Sequence, residues 1–286
     1  MNNQQVIKSL IIVPLIAALV AYAGSQYGQS FRGIPTFAFC VGLAFLINWL
    51  AFIPANIFQT EKFFDLTGSI TYITVTVVAY THSRDMDNRS MLLAALVIIW
   101  AIRLGTFLFK RILQDGKDDR FDKIKPNFLR FLNVWTLQAL WVTLTSAAAL
   151  IAITSVTRKE LGIFAIVGLV VWIFGFLFEV IADNQKRRFK KNPTNNGKFI
   201  QSGLWSKSRH PNYFGEITLW IGIFIIAIPI LRGWQWVAIL SPIFVMLLLT
   251  RISGVPGLEA KANKKWGGQA DYEAYKKNTP VLIPKF

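Results

Sequence analysis

Residues that build metal centres and disulfides are scarce in this sequence. Its 286 residues include one cysteine, Cys40, and two histidines, which excludes an intrachain disulfide and argues against a metal site of His and Cys ligands. Acidic residues are also few, with 15 Asp and Glu against 31 Lys and Arg. Neither a GxGxxG nor a GKS or GKT loop is present, so a nucleotide would be bound by something other than a Rossmann or P-loop unit.

Long apolar stretches separated by basic loops dominate instead. Hydrophobic types make up 53% of the chain although its formal net charge is +16, so apolar and charged residues must be segregated along it. Eight stretches have about the length that a membrane-spanning helix needs. They cover residues 7–24, 37–57, 66–81, 91–109, 135–155, 162–182, 217–231 and 236–250. The sequence therefore predicts an all-α, polytopic membrane bundle of seven or eight transmembrane helices.

Lys and Arg collect in three segments, which sets the expected orientation. Segments 110–130, 186–209 and 251–286 hold 22 of the 31 and follow the fourth, sixth and eighth stretches, so they share one face with the N-terminus. Short basic loops stay in the cytoplasm, and we expect both termini there. A basic chain can also bind nucleic acid. Because the membrane rule already explains these loops, we expect contacts with membrane lipids and not with nucleic acid. No obligate protein partner is evident from the sequence.

Polar residues crowd the passage 203–220, GLWSKSRHPNYFGEITLW, at the start of the seventh stretch. Asn212, Glu216 and Trp220 recur every four residues and share one face of a helix, which is costly in lipid and favours a cavity. Pro211 suits a first helical turn, and the helix N-terminus that it marks attracts anions. The other polar members are Arg209, His210 and Tyr213. The passage predicts a ligand site, the alternative being interfacial capping with contacts to lipid headgroups.

A second cluster, FEVIADNQKRRFKK, lies where the sixth stretch ends. Glu179, Asp183 and Arg187 stand four residues apart on one helix face. Glu179 lies within apolar sequence, where an acid needs either a partner or a function. Two interpretations stay open, an ion pair with Lys186 or Arg187 and a role in holding a ligand.

The fourth stretch carries Trp100 and Arg103 on one helix face. Lys110 and Arg111 can extend to lipid headgroups. Arg103 lies about two turns deeper along the helix. A guanidinium at that depth, with its planar fork of donors, is suited to phosphate.

The tail from Arg251 onward mixes cations with Trp266, Tyr272 and Tyr275. Aromatic and basic side chains together can stack on and enclose a nucleotide, and they can equally form a belt at the membrane surface. Both interpretations stay open. The polar clusters converge on the cytoplasmic ends of the fourth, sixth, seventh and eighth stretches, where a phosphate-bearing cofactor could enter.

The passages GLWSKSRHPNYFGEITLWIG, ADNQKRRFKK and YEAYKKNTPVLIP resemble the DUF1295 family of bacterial membrane proteins. That family is similar to the C-terminal domain of steroid 5-alpha-reductases, and the likeness covers residues 64–286. It divides the chain into N-terminal transmembrane helices, 1–60, and a reductase-like membrane domain, 61–286. The RHPNYFGE motif is shared with sterol C14 reductases and isoprenylcysteine carboxyl methyltransferases. It therefore predicts the fold, but it does not distinguish between these reactions. The resemblance implies the inner membrane of a bacterium as the location.

The resemblance implies a reductase that uses NADPH to reduce a carbon–carbon double bond of an enone or other lipid-like molecule entering from the bilayer. Steroids, sterols and isoprenoids are the implied substrate classes. It implies that Asp183, Asn212 and Glu216 line the NADPH site. It places Lys190 and Arg209 near the phosphates and Arg120 at the adenosine end. It implies that Arg251 and Tyr272 cover the nucleotide on the cytoplasmic side. The clusters above add Arg103, Glu179, His210 and Tyr213 as cofactor-binding candidates.

In the reductases that this chain resembles, a carboxylate and a tyrosine polarise the substrate carbonyl. Asp65 matches the acid best, with Glu61 second. Aligning Arg103 with the reductases' arginine puts Trp100 where the tyrosine is expected. We therefore expect Asp65 and Trp100 to be the catalytic residues. Because tryptophan donates a hydrogen bond but has no phenolic proton, Tyr72 is a further candidate for the proton donor.

Two other classes of function stay open. One is an S-adenosylmethionine-dependent methyltransferase, because RHPNYFGE is shared with such enzymes. These methyltransferases carry an acidic pair before the final tyrosines, whereas Glu259 stands alone here. The other is a transporter or assembly factor, although the paired, interrupted helices of transporter repeats are not evident in the sequence.

Overall fold

Helices make up nearly all the regular structure in residues 2–83 and 87–286, which this computed structural model describes. The α-helices of these two ranges are α1 (Asn3–Gly24), α2 (Thr36–Ile57), α3 (Phe64–Thr81), α4 (Asn88–Asp115), α5 (Phe128–Thr154), α6 (Ile163–Lys191), α7 (Pro211–Ala227), α8 (Leu240–Leu247), α9 (Val255–Trp266) and α10 (Ala270–Asn278). Two short strands, β1 (Ser30–Phe31) and β2 (Ile34–Pro35), form an antiparallel pair between α1 and α2. Turns of 3₁₀-helix lie at Asp119–Phe121, Pro193–Asn195, Gly203–Ser206, Ile228–Ile230 and Gly233–Ile239, and a π-helical turn lies at Leu248–Ile252.

Seven helical segments of the described ranges are long and apolar enough to cross a membrane. They are Asn3–Gly24, Thr36–Ile57, Asn88–Asp115, Phe128–Thr154, Ile163–Lys191, Pro211–Ile230 and Gly233–Trp266. The prediction of an all-α membrane bundle is confirmed, and the chain is an integral membrane protein. Seven is the lower of the two predicted numbers. The remaining stretch, 66–81, forms α3 but carries threonines, a serine and an aspartate in or next to it and is not one of the seven.

Packing divides the chain into two units. The first comprises Met1–Ala165 and Ile226–Ser241, and the second comprises Ile166–Ile225 and Pro242–Phe286. In the first unit α5 is central. Of its most apolar 18-residue part 89% is buried, and the helix packs against α1, α2, α3 and α4. Its SAAAL segment supplies small side chains, which let neighbouring helices approach closely. The boundary between residues 60 and 61 stays a prediction.

Although α3 is the most polar of the long helices in the first unit, it runs between the two ends of that unit. Asp65 in its first turn lies 3.6 Å from the guanidinium of Arg111 near the end of α4. Ser83, just beyond its last turn, donates a hydrogen bond of 2.9 Å to the carbonyl oxygen of Ile153 near the end of α5. Because α4 and α5 are successive helices joined by one short connection, their C-termini lie at opposite ends of the unit. Four polar side chains of α3 are buried within this unit, namely Thr67, Ser69, Thr71 and Thr76.

A buried arginine fixes the start of α4. Asp87 caps the helix by accepting hydrogen bonds from the backbone N–H groups of Arg89 at 2.8 Å and Ser90 at 2.9 Å. The guanidinium of Arg89 donates to the carbonyl oxygens of Ile226 at 2.8 Å and Glu160 at 2.6 Å. A buried charge is tolerated when its donors find acceptors. Arg89 therefore holds the connection between α5 and α6, and the segment at Ile226, to this end of the first unit.

In the second unit α6 and α7 touch backbone to backbone at glycines. A Cβ at Gly222 would lie 2.6 Å from the carbonyl oxygen of Gly168, and one at Gly215 would lie 2.6 Å from the backbone nitrogen of Glu179. Gly175 makes a comparable contact on the α6 side. Small residues at such positions are how membrane helices pack closely. Gly215 contacts Glu179, whereas Gly222, later in α7, contacts Gly168, which is earlier in α6. The two helices are therefore antiparallel.

Substitution of Gly222 by alanine should lower the unfolding temperature of the protein. The added Cβ would overlap the carbonyl oxygen of Gly168, and overpacking of this kind costs about 1–3 kcal/mol. Gly42→Ala in α2 is the matched control, because nothing lies within 4 Å of its added Cβ and alanine favours helix over glycine. Thermal unfolding in detergent measures both. Equal unfolding temperatures for the two variants would contradict the close approach of α6 and α7.

Candidate active site

Two buried carboxylates lie one helical turn apart near the end of α6. Glu179 is 2% exposed and Asp183 is 7% exposed. The contact between Gly215 and the backbone of Glu179 puts Glu179 level with the second turn of α7. Because α6 and α7 are antiparallel, Asp183 comes level with the first turn of α7, where Asn212 lies. The structure thus brings Glu179 and Asp183 together with the start of α7.

The two polar residues predicted to share a face at the start of α7 are half-buried. Asn212 lies in the first turn of α7 and Glu216 in the second, on either side of the glycine contact with α6 at Gly215. Lys186, proposed as a partner of Glu179, has its ammonium 4.3 Å from the ring centre of Trp205. The guanidinium of Arg187, the other proposed partner, donates to the side-chain oxygen of Asn184 at 3.0 Å. Both interpretations of Glu179 stay open.

The segment before α7 is attached to the end of α6. The indole N–H of Trp205 donates to the carbonyl oxygen of Ala182 at 3.0 Å, next to Asp183. The hydroxyl of Tyr275 in α10 donates to the carbonyl oxygen of Trp205 at 2.6 Å. Gly203 adopts a φ of +61°, which a residue with a side chain rarely adopts, and it begins the 3₁₀ turn that presents Trp205. These bonds set where the chain enters α7.

Arg209 and His210, the two residues before α7, share one carboxylate. Oε2 of Glu259 in α9 accepts a hydrogen bond from Nη1 of Arg209 at 2.7 Å, and Oε1 lies 2.8 Å from Nε2 of His210. His210 is buried, and its ring stacks on that of Tyr213 with the centroids 5.6 Å apart and 12° between the planes. The predicted residues Arg209, His210 and Tyr213 are therefore brought together, with Glu259 as an additional member.

The C-terminal tail closes against the same segment. The backbone N–H of Arg209 donates to the carbonyl oxygen of Pro280 at 2.9 Å. The hydroxyl of Ser208 donates to the carbonyl oxygen of Leu282 at 2.8 Å and accepts from the backbone N–H of His210 at 3.2 Å. The residues that precede α7 are thus held by α9 from one direction and by the tail from another.

The remaining candidates of the second unit lie in other surroundings. Tyr272 is buried against the ring of Phe199, with ring centres 5.1 Å apart, and the ammonium of Lys276 lies 5.0 Å from its own ring centre. Burial raises the pKa of Tyr272 above the ordinary value of tyrosine. Lys190 in the last turn of α6 and Arg251 in the π-helical turn are exposed. A cofactor-binding role for these three residues stays a prediction.

In the first unit the two acids considered as catalytic groups have different surroundings. Glu61 is buried, and its carboxylate accepts from the backbone N–H of Asp118 at 2.8 Å and from the ammonium of Lys125. Burial alone would raise the pKa of Glu61, but the hydrogen bonds from Lys125 and Asp118 hold it below its ordinary value. Both oxygens of Glu61 are therefore used to anchor the connection between α4 and α5.

Asp65 is the less constrained of the two acids. It lies in the first turn of α3, with the guanidinium of Arg111 3.6 Å from its carboxyl oxygen. Burial raises the pKa of Asp65, while Arg111 and Arg120 act in the opposite direction. Arg120 itself is exposed, and its Nε donates to the carboxylate of Asp118 at 2.8 Å. The geometry favours Asp65 over Glu61 as a group available for chemistry.

Trp100 and Tyr72, the two candidates for polarising a substrate, are buried side by side. Their ring centres are 5.1 Å apart and the planes are nearly perpendicular. The guanidinium of Arg103 lies 5.5 Å from the ring centre of Phe107, one turn further along α4. No group of three or more His, Cys, Asp or Glu side chains in residues 2–83 and 87–286 is arranged to hold a metal ion. Catalytic roles for Trp100 and Tyr72 stay predictions.

A family assignment follows from comparison with known proteins. The sequence profile described as "Protein of unknown function (DUF1295)" matches residues 51–279, which is most of the chain. The chain belongs to the DUF1295 family. The resemblance stated from the motifs is confirmed, and the match begins before residue 64, so it also includes the end of α2. No solved structure matches this DUF1295 chain.

Three curated proteins are similar to parts of the DUF1295 chain. The 3-oxo-5-alpha-steroid 4-dehydrogenase 1 of Rattus norvegicus is 27% identical over 118 residues, which is 41% of this chain and 40% of that protein. Steroid 5-alpha-reductase DET2 of Gossypium hirsutum is 29% identical over 117 residues, again 41% of this chain and 40% of that protein. Probable O-methyltransferase ustE of Ustilaginoidea virens is 40% identical over 53 residues, 18% of each chain. The chain spans less than two thirds of the length of the curated relatives that it matches.

Glu259 is the residue of this site that the sequence analysis of the DUF1295 chain left without a role. It is the only acid in α9, a helix that otherwise carries three lysines. A single acid within a basic segment is the signal that could have identified Glu259, because such an acid is expected to pair with a cation. Its actual partners, Arg209 and His210, lie about 50 residues earlier in the chain. Sequence spacing alone does not identify such a pairing.

The carboxylate of Glu61 should contribute pH-dependent stability. Its pKa is lowered in the folded state, so the contribution is present above the ordinary pKa of 4.5 and is lost as the pH falls through the lower, folded value. Thermal unfolding of wild type and Glu61→Gln in detergent should show a difference at pH of about 7 that shrinks at pH of about 4. Glu160→Gln, the same change at an exposed side chain between α5 and α6, is the control. A difference that stayed constant with pH would count against the ion pair of Glu61 with Lys125.

Proposed function

We propose that the chain is an NADPH-dependent reductase in the inner membrane of a bacterium. Its substrate in this proposal is an enone or another lipid-like molecule of the steroid, sterol or isoprenoid class, of which it reduces a carbon–carbon double bond. The observation that carries the proposal is the pair Arg209 and His210, fixed by Glu259 at the N-terminus of α7, where Asp183 is buried. The similarity of part of the chain to a 3-oxo-5-alpha-steroid 4-dehydrogenase and to a steroid 5-alpha-reductase supports the reaction class.

The donors at this point fit a phosphate-bearing cofactor. A helix N-terminus directs backbone N–H groups at an anion, and a guanidinium adds a charged donor, which α7 and Arg209 supply. Nδ1 of His210 is buried without a partner among the described residues, so a polar group of a ligand would satisfy it. Asn212, in the first turn, offers amide donors and an acceptor. Phosphate together with a sugar hydroxyl meets these requirements.

In this proposal bound NADPH would supply the hydride, and water would supply the proton that completes reduction of the double bond. The carboxyl group of Asp65 serves as hydrogen-bond donor to the substrate oxygen. Burial raises the pKa of Asp65, which favours the protonated form that can donate. Stabilising charge that develops on an oxygen is commonly the largest contribution of a protein to such a reaction. Tyr72 is the second candidate for this donor, and Trp100 contributes an apolar wall with an N–H donor.

NADPH binding to the purified protein is the direct test. Wild type should bind NADPH and not S-adenosylmethionine, and Arg209→Met should bind NADPH about 10-fold or more weakly, because a hydrogen bond to a charged group is lost. Asp65→Asn should bind NADPH normally but consume it slowly with a panel of apolar enones. Equilibrium binding and loss of NADPH absorbance measure the two effects.

Lys8→Met, an exposed cation of α1, is the matched control for removal of charge. The unfolding temperature of every variant shows whether a loss reflects misfolding. Absence of NADPH binding by folded wild type would overturn the proposal. Binding of S-adenosylmethionine in its place would favour the methyltransferase alternative.

The proposed orientation, with both termini in the cytoplasm, requires eight crossings, of which α3 is the eighth. It predicts a labelling pattern for single cysteines. After Cys40→Ala, a cysteine replacing Leu161, between α5 and α6, should react with a membrane-impermeant maleimide in intact cells. A cysteine replacing Lys198, between α6 and α7, should react only after the membrane is opened. Both positions are exposed, so access differs only by side of the membrane. The reverse pattern would invert the topology.

A further inference from the structure

Glu259 uses both of its carboxylate oxygens on two consecutive residues. Oε2 accepts from Nη1 of Arg209 at 2.7 Å and Oε1 lies 2.8 Å from Nε2 of His210. The side chains of all three residues are largely withdrawn from solvent, with 14% of Arg209, 6% of His210 and 21% of Glu259 exposed. Hydrogen bonds to charged groups in such surroundings fix side-chain direction strongly.

This contact decides which nitrogen of His210 carries the proton. A carboxylate next to an arginine can only accept, so Nε2 of His210 must be the N–H that faces it. In the neutral ring, Nδ1 is then a hydrogen-bond acceptor. Stacking on Tyr213 and the bond from the backbone N–H of His210 to Ser208 keep the ring in this position.

Two nitrogens of the pair remain unsatisfied. Nδ1 of His210 and Nε of Arg209 are buried and have no partner among the described residues. Buried polar atoms without partners are rare in folded proteins and call for an explanation such as a missing ligand. One of these atoms is a charged donor and the other an acceptor, and both belong to residues directly before the N-terminus of α7. A ligand that offers an anionic oxygen close to a hydroxyl would satisfy both.

We propose that Glu259 is the positioning residue of the cofactor site, which fixes Arg209 to bind a phosphate oxygen and fixes His210 to accept a hydrogen bond at Nδ1 from a neighbouring ribose hydroxyl. This inference rests on the proposed NADPH function and adds the residue that orients the site. Glu259 itself contacts neither phosphate nor hydroxyl. Its effect is exerted through the directions of the two side chains that it holds.

Glu259→Gln separates positioning from packing, because the amide has nearly the same size as the carboxylate. Its oxygen can still accept from Arg209, but its NH₂ group then faces Nε2 of His210. The ring must accept there and carry its proton on Nδ1, which can no longer accept from a hydroxyl. We expect NADPH to bind about 10-fold more weakly to Glu259→Gln. Glu273→Gln, an exposed acid of α10 paired with Lys276, is the matched control and should bind NADPH as wild type does.

The proton position of His210 is measurable on its own. The chain has two histidines, so ¹⁵N-histidine labelling of a His82→Gln background leaves one imidazole in the solid-state NMR spectrum. In the neutral imidazole we expect the proton on Nε2 in the protein carrying Glu259 and on Nδ1 after Glu259→Gln. Added NADPH should shift the Nδ1 resonance only when Glu259 is present.

These readouts distinguish the failure of the inference from the failure of the proposed function. If wild type binds NADPH while Glu259→Gln binds it equally well, or if the proton of His210 lies on Nδ1 when Glu259 is present, the positioning role is overturned and the reductase proposal is unaffected. If folded wild type binds no NADPH, the proposed function itself fails. The proton position is read without any cofactor, so it reports on Glu259 in either case.

Discussion

The backbone contact between α6 and α7 is the constraint on which the candidate site depends. A Cβ added at Gly215 or Gly222 of α7 would lie 2.6 Å from a backbone atom of α6, which leaves no room for a side chain. Because the helices meet there, Asp183 comes level with the first turn of α7. Any side chain at the glycines would push the helices apart and move the buried acids of α6 away from Asn212 and its neighbours.

Two carboxylates of this acid-poor chain anchor connecting segments. Glu61 holds the connection between α4 and α5, and Glu259 holds the residues before α7, in each case by accepting from two donors. Asp65 is the exception in the first unit, because it faces a single arginine at 3.6 Å and its pKa is raised by burial. In a chain with a large excess of cations, this incomplete pairing is a stronger pointer to chemistry than the presence of an acid alone.

The sequence allowed the helices and the membrane class to be predicted, because apolar length and helical period are local properties. The face shared by Asn212 and Glu216, and the grouping of Arg209, His210 and Tyr213, are local as well, since each spans less than three turns. The polar helix α3 was harder to classify, because its threonines lower its hydropathy although it runs through the first unit. The partners of Glu61 and Glu259 could not be predicted, because they lie about 50 residues or more away in the chain and depend on how helices pack.

Mass spectrometry of the small molecules released from gently extracted protein tests the central claim most directly. That claim is that the residues at the start of α7 bind a nicotinamide dinucleotide carrying an extra phosphate. The account predicts that wild type releases NADP(H) in an amount comparable with the protein and that Arg209→Met releases almost none. Release of S-adenosylmethionine by wild type, or equal release of NADP(H) by both proteins, would contradict it.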